Sequence, residues 1–184
     1  MDSKLALLSI LGGASVGGVG AFGAYKLIGT EEKSFTDEEY QLIFKKFKSD
    51  NAFIAALKTK KAEITKDSSN AEGGRVAKEW CLKNNSKEAK QWCVLLPKTI
   101  SEKVGKPLSS NWGERVKSIT NKSDSGLLND LKRIKSGLSK IEDNNKDSQD
   151  ALQGWCESKW NTKVIDDEGD DIYKKIIDRC IDNK

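Results

Sequence analysis

Histidine is absent from all 184 residues of the chain. Its absence excludes histidine-based catalytic triads, histidine general bases, histidine metal ligands and histidine pH switches. A Walker loop and the HExxH zinc motif are also missing. The clustered glycines near the N-terminus lie inside an uncharged run, whereas nucleotide-binding loops join a strand to a helix. We therefore predict that the chain is not an enzyme and that it binds no cofactor and no metal.

Helix breakers are scarce as well, because the chain has only two prolines. Aromatic residues make up 7% of the chain and charged residues make up 33%. Long stretches rich in lysine, glutamate and aspartate with so few breakers predict helices, and no stretch alternates for long enough to predict a strand. Residues 93–96 form the only apolar run with strand character, and a helix is favoured there too. We therefore expect an all-α fold.

Capping signals and apolar spacing place individual helices. Thr36 and Glu39 form a capping box at the start of one helix, and Asp50 can cap the next. After Ser125 a long helix is predicted by apolar residues at spacings of three and four, namely Leu127, Leu128, Leu131, Ile134, Leu138 and Ile141. The acidic residues 166–171 lack the spacing of a calcium-binding loop. We expect Asp170 or Asp171 to cap the last helix instead.

An uncharged run of 21 residues, residues 5–25, separates Lys4 from Lys26. As a helix it would span about 31 Å, which matches the hydrocarbon core of a bilayer. A cleaved signal peptide with Ala21 and Gly23 before the cut, and a buried soluble helix, are the alternatives. A lipoprotein is excluded because the first cysteine is Cys81. We predict a transmembrane anchor made by this run, with Leu5, Leu8, Leu11, Gly13, Gly17, Phe22 and Tyr25.

The predicted anchor sets the expected organisation and location of the chain. Residues 1–29 are the transmembrane anchor or signal segment, and residues 30–35 are a linker to the body. A short N-terminal tail and a large following domain favour a single-pass protein of the cell membrane with its body outside the cell. Membrane lipid is then the expected partner of the N-terminal helix.

Charge is distributed unevenly along the body. Residues 90–140 contain eleven Lys/Arg and four Asp/Glu, whereas residues 141–184 contain seven Lys/Arg and twelve Asp/Glu. A nucleic-acid binder usually concentrates basic residues on one face with aromatic residues among them. The basic residues here are spread over several segments, so we interpret them as solvated helix surfaces and expect no specific nucleic-acid partner.

An internal repeat indicates how the body is organised. Residues 48–58 resemble residues 122–132 at an offset of 74, and the Trp-Cys pair at positions 80–81 matches the pair at 155–156 at an offset of 75. Each half then contains one more cysteine. We predict two related helical halves, residues 36–97 and 98–184, packed together as one helical bundle.

The four cysteines could form two disulfides, a metal site or four buried thiols. A structural zinc site usually contains CxxC pairs, and none is present. Four cysteines in a body outside the membrane suit disulfides, and the repeat favours Cys81 with Cys93 and Cys156 with Cys180. A straight helix would hold Cys81 and Cys93 about 18 Å apart, so their pairing requires a bend near Asn84. Buried reduced thiols beside tryptophans are the alternative.

In these features the chain resembles the large paralogous families of uncharacterised proteins of haemotropic mycoplasmas. The resemblance covers the full chain and rests on residues 5–29, the two Trp-Cys pairs, residues 92–97 and Cys180. The second half ends on Arg179-Cys180, where family members often carry Trp-Cys. The resemblance implies a membrane-associated protein displayed on the cell surface, with no established activity.

Two functions are compatible with the predicted anchor, and they differ in the side of the membrane on which the body lies. The first is a surface-exposed protein that contacts host material or a protein partner, or that serves as a variable antigen. The second is an accessory protein whose body faces the cytoplasm and contacts anionic lipid or a partner subunit.

Overall fold

The computed structural model describes residues 35–119, 125–167 and 170–182. Within these ranges the fold is all-α, as predicted, and the only β-type pairing is an isolated bridge between Thr99 and Lys163. The helices are α1 (Asp37–Phe47), α2 (Asn51–Lys58), α3 (Asn70–Leu82), α4 (Lys87–Trp92), α5 (Ile100–Val104), α6 (Trp112–Ser118), α7 (Ser125–Lys132), α8 (Lys146–Trp160) and α9 (Asp171–Cys180), with a 3-10 turn, η1 (Val164–Asp166), before α9.

The predicted anchor lies outside the described residues, and so do its seven named side chains. In the part of the chain that the structure describes, no helix has the length and apolar character needed to cross a bilayer.

Two hydrophobic cores follow each other along the chain. The first core comprises Tyr40, Ile43, Phe44, Phe53, Leu57, Ile64, Val76, Ala77, Trp80, Ala89 and Trp92. The second core comprises Ile100, Val116, Ile119, Leu127, Leu131, Leu138, Ala151, Leu152, Trp155, Cys156, Ile176, Cys180 and Ile181. The chain leaves the first core after Leu96, which packs against it, and enters the second at Ile100.

Helix α1 packs closely against α3 in the first half. The capping box at Thr36 forms as predicted, because its hydroxyl accepts from the Glu39 amide and the Glu39 carboxylate accepts from the Thr36 amide. The two helices run antiparallel, since Lys78 pairs with Asp37 at one end and Gly73 lies against Phe44 nearer the other. A Cβ on Gly74 would fall 2.9 Å from the backbone N and Cα of Gln41. The close approach therefore depends on glycine.

Replacing Gly74 with alanine should destabilise the body by about 1–3 kcal/mol, because the backbones of α1 and α3 must move apart. Gly113, in α6, is the matched control, since a Cβ there meets nothing closer than 3.4 Å, at the flexible Gln149 side chain. Gly113→Ala should be neutral or stabilising by up to about 1 kcal/mol, through helix propensity. Urea unfolding of both variants measures the difference. Equal stability of the two variants would contradict the close packing.

Three local predictions need correction. Helix α7 ends at Lys132 rather than continuing to Ile141; Leu138 reaches the second core from a turn. Ser136 and Gly137 favour this turn over helix.

The second correction concerns residues 93–96, which are not helical, because α4 ends at Trp92. A disulfide joins Cys93 to α3, and the residue before Pro97 is disfavoured in a helix.

The third correction concerns the start of α9. Neither Asp170 nor Asp171 provides a side-chain cap, and Asp170 adopts a left-handed backbone conformation with φ of 58°. Asp167, three residues before Asp170, caps α9 instead. Its two carboxylate oxygens accept from the amides of Ile172 at 2.8 Å and Tyr173 at 2.9 Å. Asp167 is buried, so its carboxylate reaches the amides at the helix start from inside the fold.

The two halves meet through polar contacts. The Lys45 ammonium, at the C-terminal end of α1, donates to the carbonyl oxygens of Val164, Ile165 and Asp167 around η1. Burial lowers the pKa of Lys45. Near the start of α1, Glu39 pairs with Lys98 at 2.9 Å. Hydrogen bonds and ion pairs therefore join the two halves, and each half has its own apolar core.

Candidate functional site: the disulfide-bridged Trp-Cys units

The first Trp-Cys unit closes a short loop at the end of α3. Cys81, near that end, is bonded to Cys93, directly after α4, with the two Cα atoms 5.9 Å apart. The bend that this pairing requires lies between α3 and α4, and the Ser86 side chain caps α4 by accepting from the Ala89 amide. Both cysteines are only partly buried.

Aromatic rings pack behind this first disulfide. The Trp80 and Trp92 rings lie 5.6 Å apart, and the Phe53 ring lies 5.3 Å from that of Trp92 in an edge-on arrangement. Both tryptophans are buried, so they anchor the core and do not offer a stacking platform for a ligand. The indole Nε1 of Trp92 is buried without a hydrogen-bond partner in the described part of the chain.

The second Trp-Cys unit joins α8 to α9. Cys156, within α8, is bonded to Cys180, the last residue of α9, with the Cα atoms 5.8 Å apart. Both cysteines are fully buried in the second core. No cysteine of the chain is left free, so the prediction of two disulfides is confirmed. In each half the later cysteine lies at or just after the end of a helix.

A largely buried charge network lies beside the second disulfide. The Arg179 guanidinium lies over the Trp155 ring, 5.0 Å from its centroid, and donates to Asp130 at 2.7 Å. Lys175 donates to the same carboxylate oxygen at 3.0 Å. Arg115 donates through Nε to the Arg179 carbonyl at 3.0 Å and also to the carbonyl of Asp178. Arg115 thus satisfies carbonyls at the C-terminal end of α9, where a positive charge is favoured.

The electrostatics of this network favour a structural role. Burial raises the pKa of Asp130, but hydrogen bonds from Arg179 and Lys175 outweigh that effect, so the pKa lies below its ordinary value. Burial lowers the pKa of Arg115, although arginine stays charged at physiological pH. A carboxylate held ionised between two cations is poorly suited to act as a general base. Among the described residues no group of three or more cysteine, aspartate or glutamate residues could hold a metal ion.

Sequence reasoning missed Asp130, Arg179 and Arg115. One signal was present, because Arg179 lies between Ile176 and Cys180 at the spacing of the buried face of α9. A charged residue at such a position needs a buried partner of opposite sign. The identity of that partner depends on the packing of α7 against α8 and α9, so the sequence alone could not supply it.

The two disulfides should differ in their reaction with a reductant. The bond between Cys81 and Cys93 is partly exposed, whereas Cys156 and Cys180 have no exposed surface. A small phosphine under native conditions should therefore reduce the first disulfide well before the second, because exchange requires access to sulfur. Alkylation at timed intervals followed by peptide mapping gives the order. Reduction of both bonds at the same rate would contradict it.

Comparison of the chain with family models, with curated proteins and with solved structures gives no match.

Proposed function

We propose that this chain is a single-pass, membrane-anchored protein that displays a disulfide-stabilised helical body outside the cell, where it contacts a host or protein partner or serves as a variable antigen. The observation that carries the proposal is that all four cysteines are paired within their own halves. Disulfides form and persist in oxidising compartments and are rare in the cytosol. The uncharged residues 5–25 supply the anchor.

The distribution of exposed loops supports a role in display. The segment between α2 and α3, residues 59–69, is largely exposed, and only Ile64 within it is buried in the first core. Because α3 begins directly after this segment and runs antiparallel to α1, the segment lies at the end of the first half away from Phe35. Exposed side chains such as Lys60 and Lys66 can vary without disturbing the core, as a variable antigen requires, whereas Ser69 caps α3 by accepting from the Glu72 amide.

The resemblance to surface-displayed families of haemotropic mycoplasmas supports the same proposal. No motif marks the partner, so binding would use exposed side chains of the body.

Protease treatment of intact cells tests the topology. Trypsin should digest the body, because lysines are numerous on its exposed surface, including Lys58, Lys60 and Lys66. A cytosolic protein in the same sample should stay intact, and digestion after permeabilisation serves as the positive control. Full protection of the body in intact cells would overturn the proposal and favour a body that faces the cytoplasm.

A further inference from the structure

One end of the first half combines an exposed apolar side chain with several lysines. Leu82, the last residue of α3, is 60% exposed, the highest value for a large hydrophobic residue in the described chain. Leu82, the turn at residues 83–86 and residues 87–91 of α4 are together called the 82–91 loop, which the Cys81–Cys93 disulfide closes. Its exposed lysines are Lys83, Lys87 and Lys90, and its single carboxylate is Glu88.

The 82–91 loop lies at the end of the body where the chain arrives from the N-terminal segment. The Phe35 ring packs 5.5 Å from that of Tyr40, and Lys78 donates to Asp37 at 2.8 Å. Lys78 is one helical turn before Leu82, and α3 runs toward the start of α1. Leu82 and Phe35 are therefore at the same end of the first half.

We infer that the 82–91 loop rests on the surface of the membrane in which the chain is anchored, with Leu82 among the lipid headgroups and its three lysines against anionic phosphates. The inference rests on the proposed membrane anchor. Tyr25 and Phe35 are ten residues apart, so the connecting chain reaches about 35 Å at most. The body is thus held near the bilayer, and the end that carries Phe35 is the end closest to it.

Charge and size favour lipid over a second copy of the chain. The three acids in the first turn of α1, at the same end, pair with Lys78, Lys98 and Lys163. The three loop lysines then face two exposed carboxylates, Glu79 and Glu88, and the remaining positive charge suits an anionic phosphate surface. A stable protein interface buries about 800 Å² on each partner. One exposed leucine on a ten-residue loop supplies too little apolar area for such an interface, whereas it suffices to insert a single side chain between headgroups.

Photochemical cross-linking of the full chain tests the contact directly. The chain is reconstituted in vesicles of phosphatidylcholine with 30% phosphatidylglycerol, carrying p-benzoylphenylalanine in place of either Leu82 or Lys66. Lys66 is exposed in the segment between α2 and α3, at the opposite end of α3. Mass spectrometry should find at least about five times more lipid adduct at position 82 than at position 66.

Charge variants provide a second readout. Lys83→Gln, Lys87→Gln and Lys90→Gln combined should lower the lipid adduct at position 82 severalfold. The matched triple Lys58→Gln, Lys60→Gln and Lys66→Gln, which removes the same charge at the opposite end, should leave it unchanged. Equal loss from both triples would overturn the role of the three loop lysines.

The outcomes separate this inference from the proposed anchor. Failure of the chain to float with vesicles would defeat the anchor, and the inference with it. Flotation with equal adducts at positions 82 and 66 would keep the anchor and overturn the loop contact. Cross-links at position 82 to another copy of the chain, in place of lipid, would overturn it in favour of self-association.

Discussion

Replacing Asp130 with alanine should lower the free energy of unfolding by about 3–5 kcal/mol at neutral pH. The Asp130 carboxylate accepts from Arg179 at 2.7 Å and from Lys175 at 3.0 Å. Arg179 is buried, so its guanidinium would stay charged inside the protein without the carboxylate that balances it. Urea unfolding followed by circular dichroism measures the loss.

Asp150→Ala is the matched control for this change. Asp150 pairs with Lys146 one turn away on α8, and the two side chains are 43% and 78% exposed. Exposed pairs of this spacing contribute about 0.3–0.5 kcal/mol, so the control should unfold almost as the unmodified protein does. A loss at Asp130 no larger than that at Asp150 would show that the network does not stabilise the second half.

The effect of the Asp130 replacement should depend on pH. The folded-state pKa of Asp130 is lowered, although burial alone would raise it, because Arg179 and Lys175 donate to the carboxylate. A lowered carboxyl pKa gives stability that is present above the unfolded pKa of about 3.9 and is lost as pH falls through the folded value. The stability difference between the unmodified protein and Asp130→Ala should therefore shrink in acid. A difference that stayed constant down to pH 2 would contradict this assignment.

Replacing either Cys81 or Cys156 with serine should cost about 2–4 kcal/mol, because each disulfide restricts the unfolded chain. Cys156→Ser should cost more for two reasons. The sequence separation is 24 for the second disulfide and 12 for the first, which adds about 0.6 kcal/mol, and the serine hydroxyl would be buried in an apolar core. Chemical unfolding of both variants gives the costs.

Thiol counting checks the pairing in the same variants. Cys81→Ser should release one thiol, on Cys93, and leave the second disulfide intact; Cys156→Ser should release Cys180 alone. The double variant Cys81→Ser with Cys93→Ser serves as the control and should have no free thiol. Three free thiols in either single variant would show that the halves do not close their disulfides independently.

The sequence predicted the helical fold and the covalent framework because both depend on local or repeated signals. The side chains of Thr36 and Asp50 cap helices as predicted. The repeat also predicts where α7 ends, and it does so more accurately than the apolar spacing. Helices α2 and α7 have the same length and differ by 74 positions, so the repeat predicts the end of α7 at Lys132, whereas the apolar spacing continued past it.

The remaining features depend on tertiary contacts. Asp167 caps α9 from six residues before Tyr173, because η1 turns the chain back toward the helix start. Lys45 reaches the carbonyl oxygens around η1 from more than a hundred positions away in sequence. Glycine at position 74 is required only because α1 approaches α3 so closely. Spacing within one helix carries no information about such partners.

Non-reducing peptide mapping of the protein from intact cell membranes, with free thiols blocked before lysis, tests the central claim most directly. We expect linked peptides that join Cys81 to Cys93 and Cys156 to Cys180, with no blocked thiol, because a body outside the membrane, as proposed, would fold in an oxidising compartment. Four blocked thiols would contradict it and indicate a body that faces the reducing cytoplasm. A linkage between the halves, such as Cys81 with Cys156, would contradict the independent closure of each half.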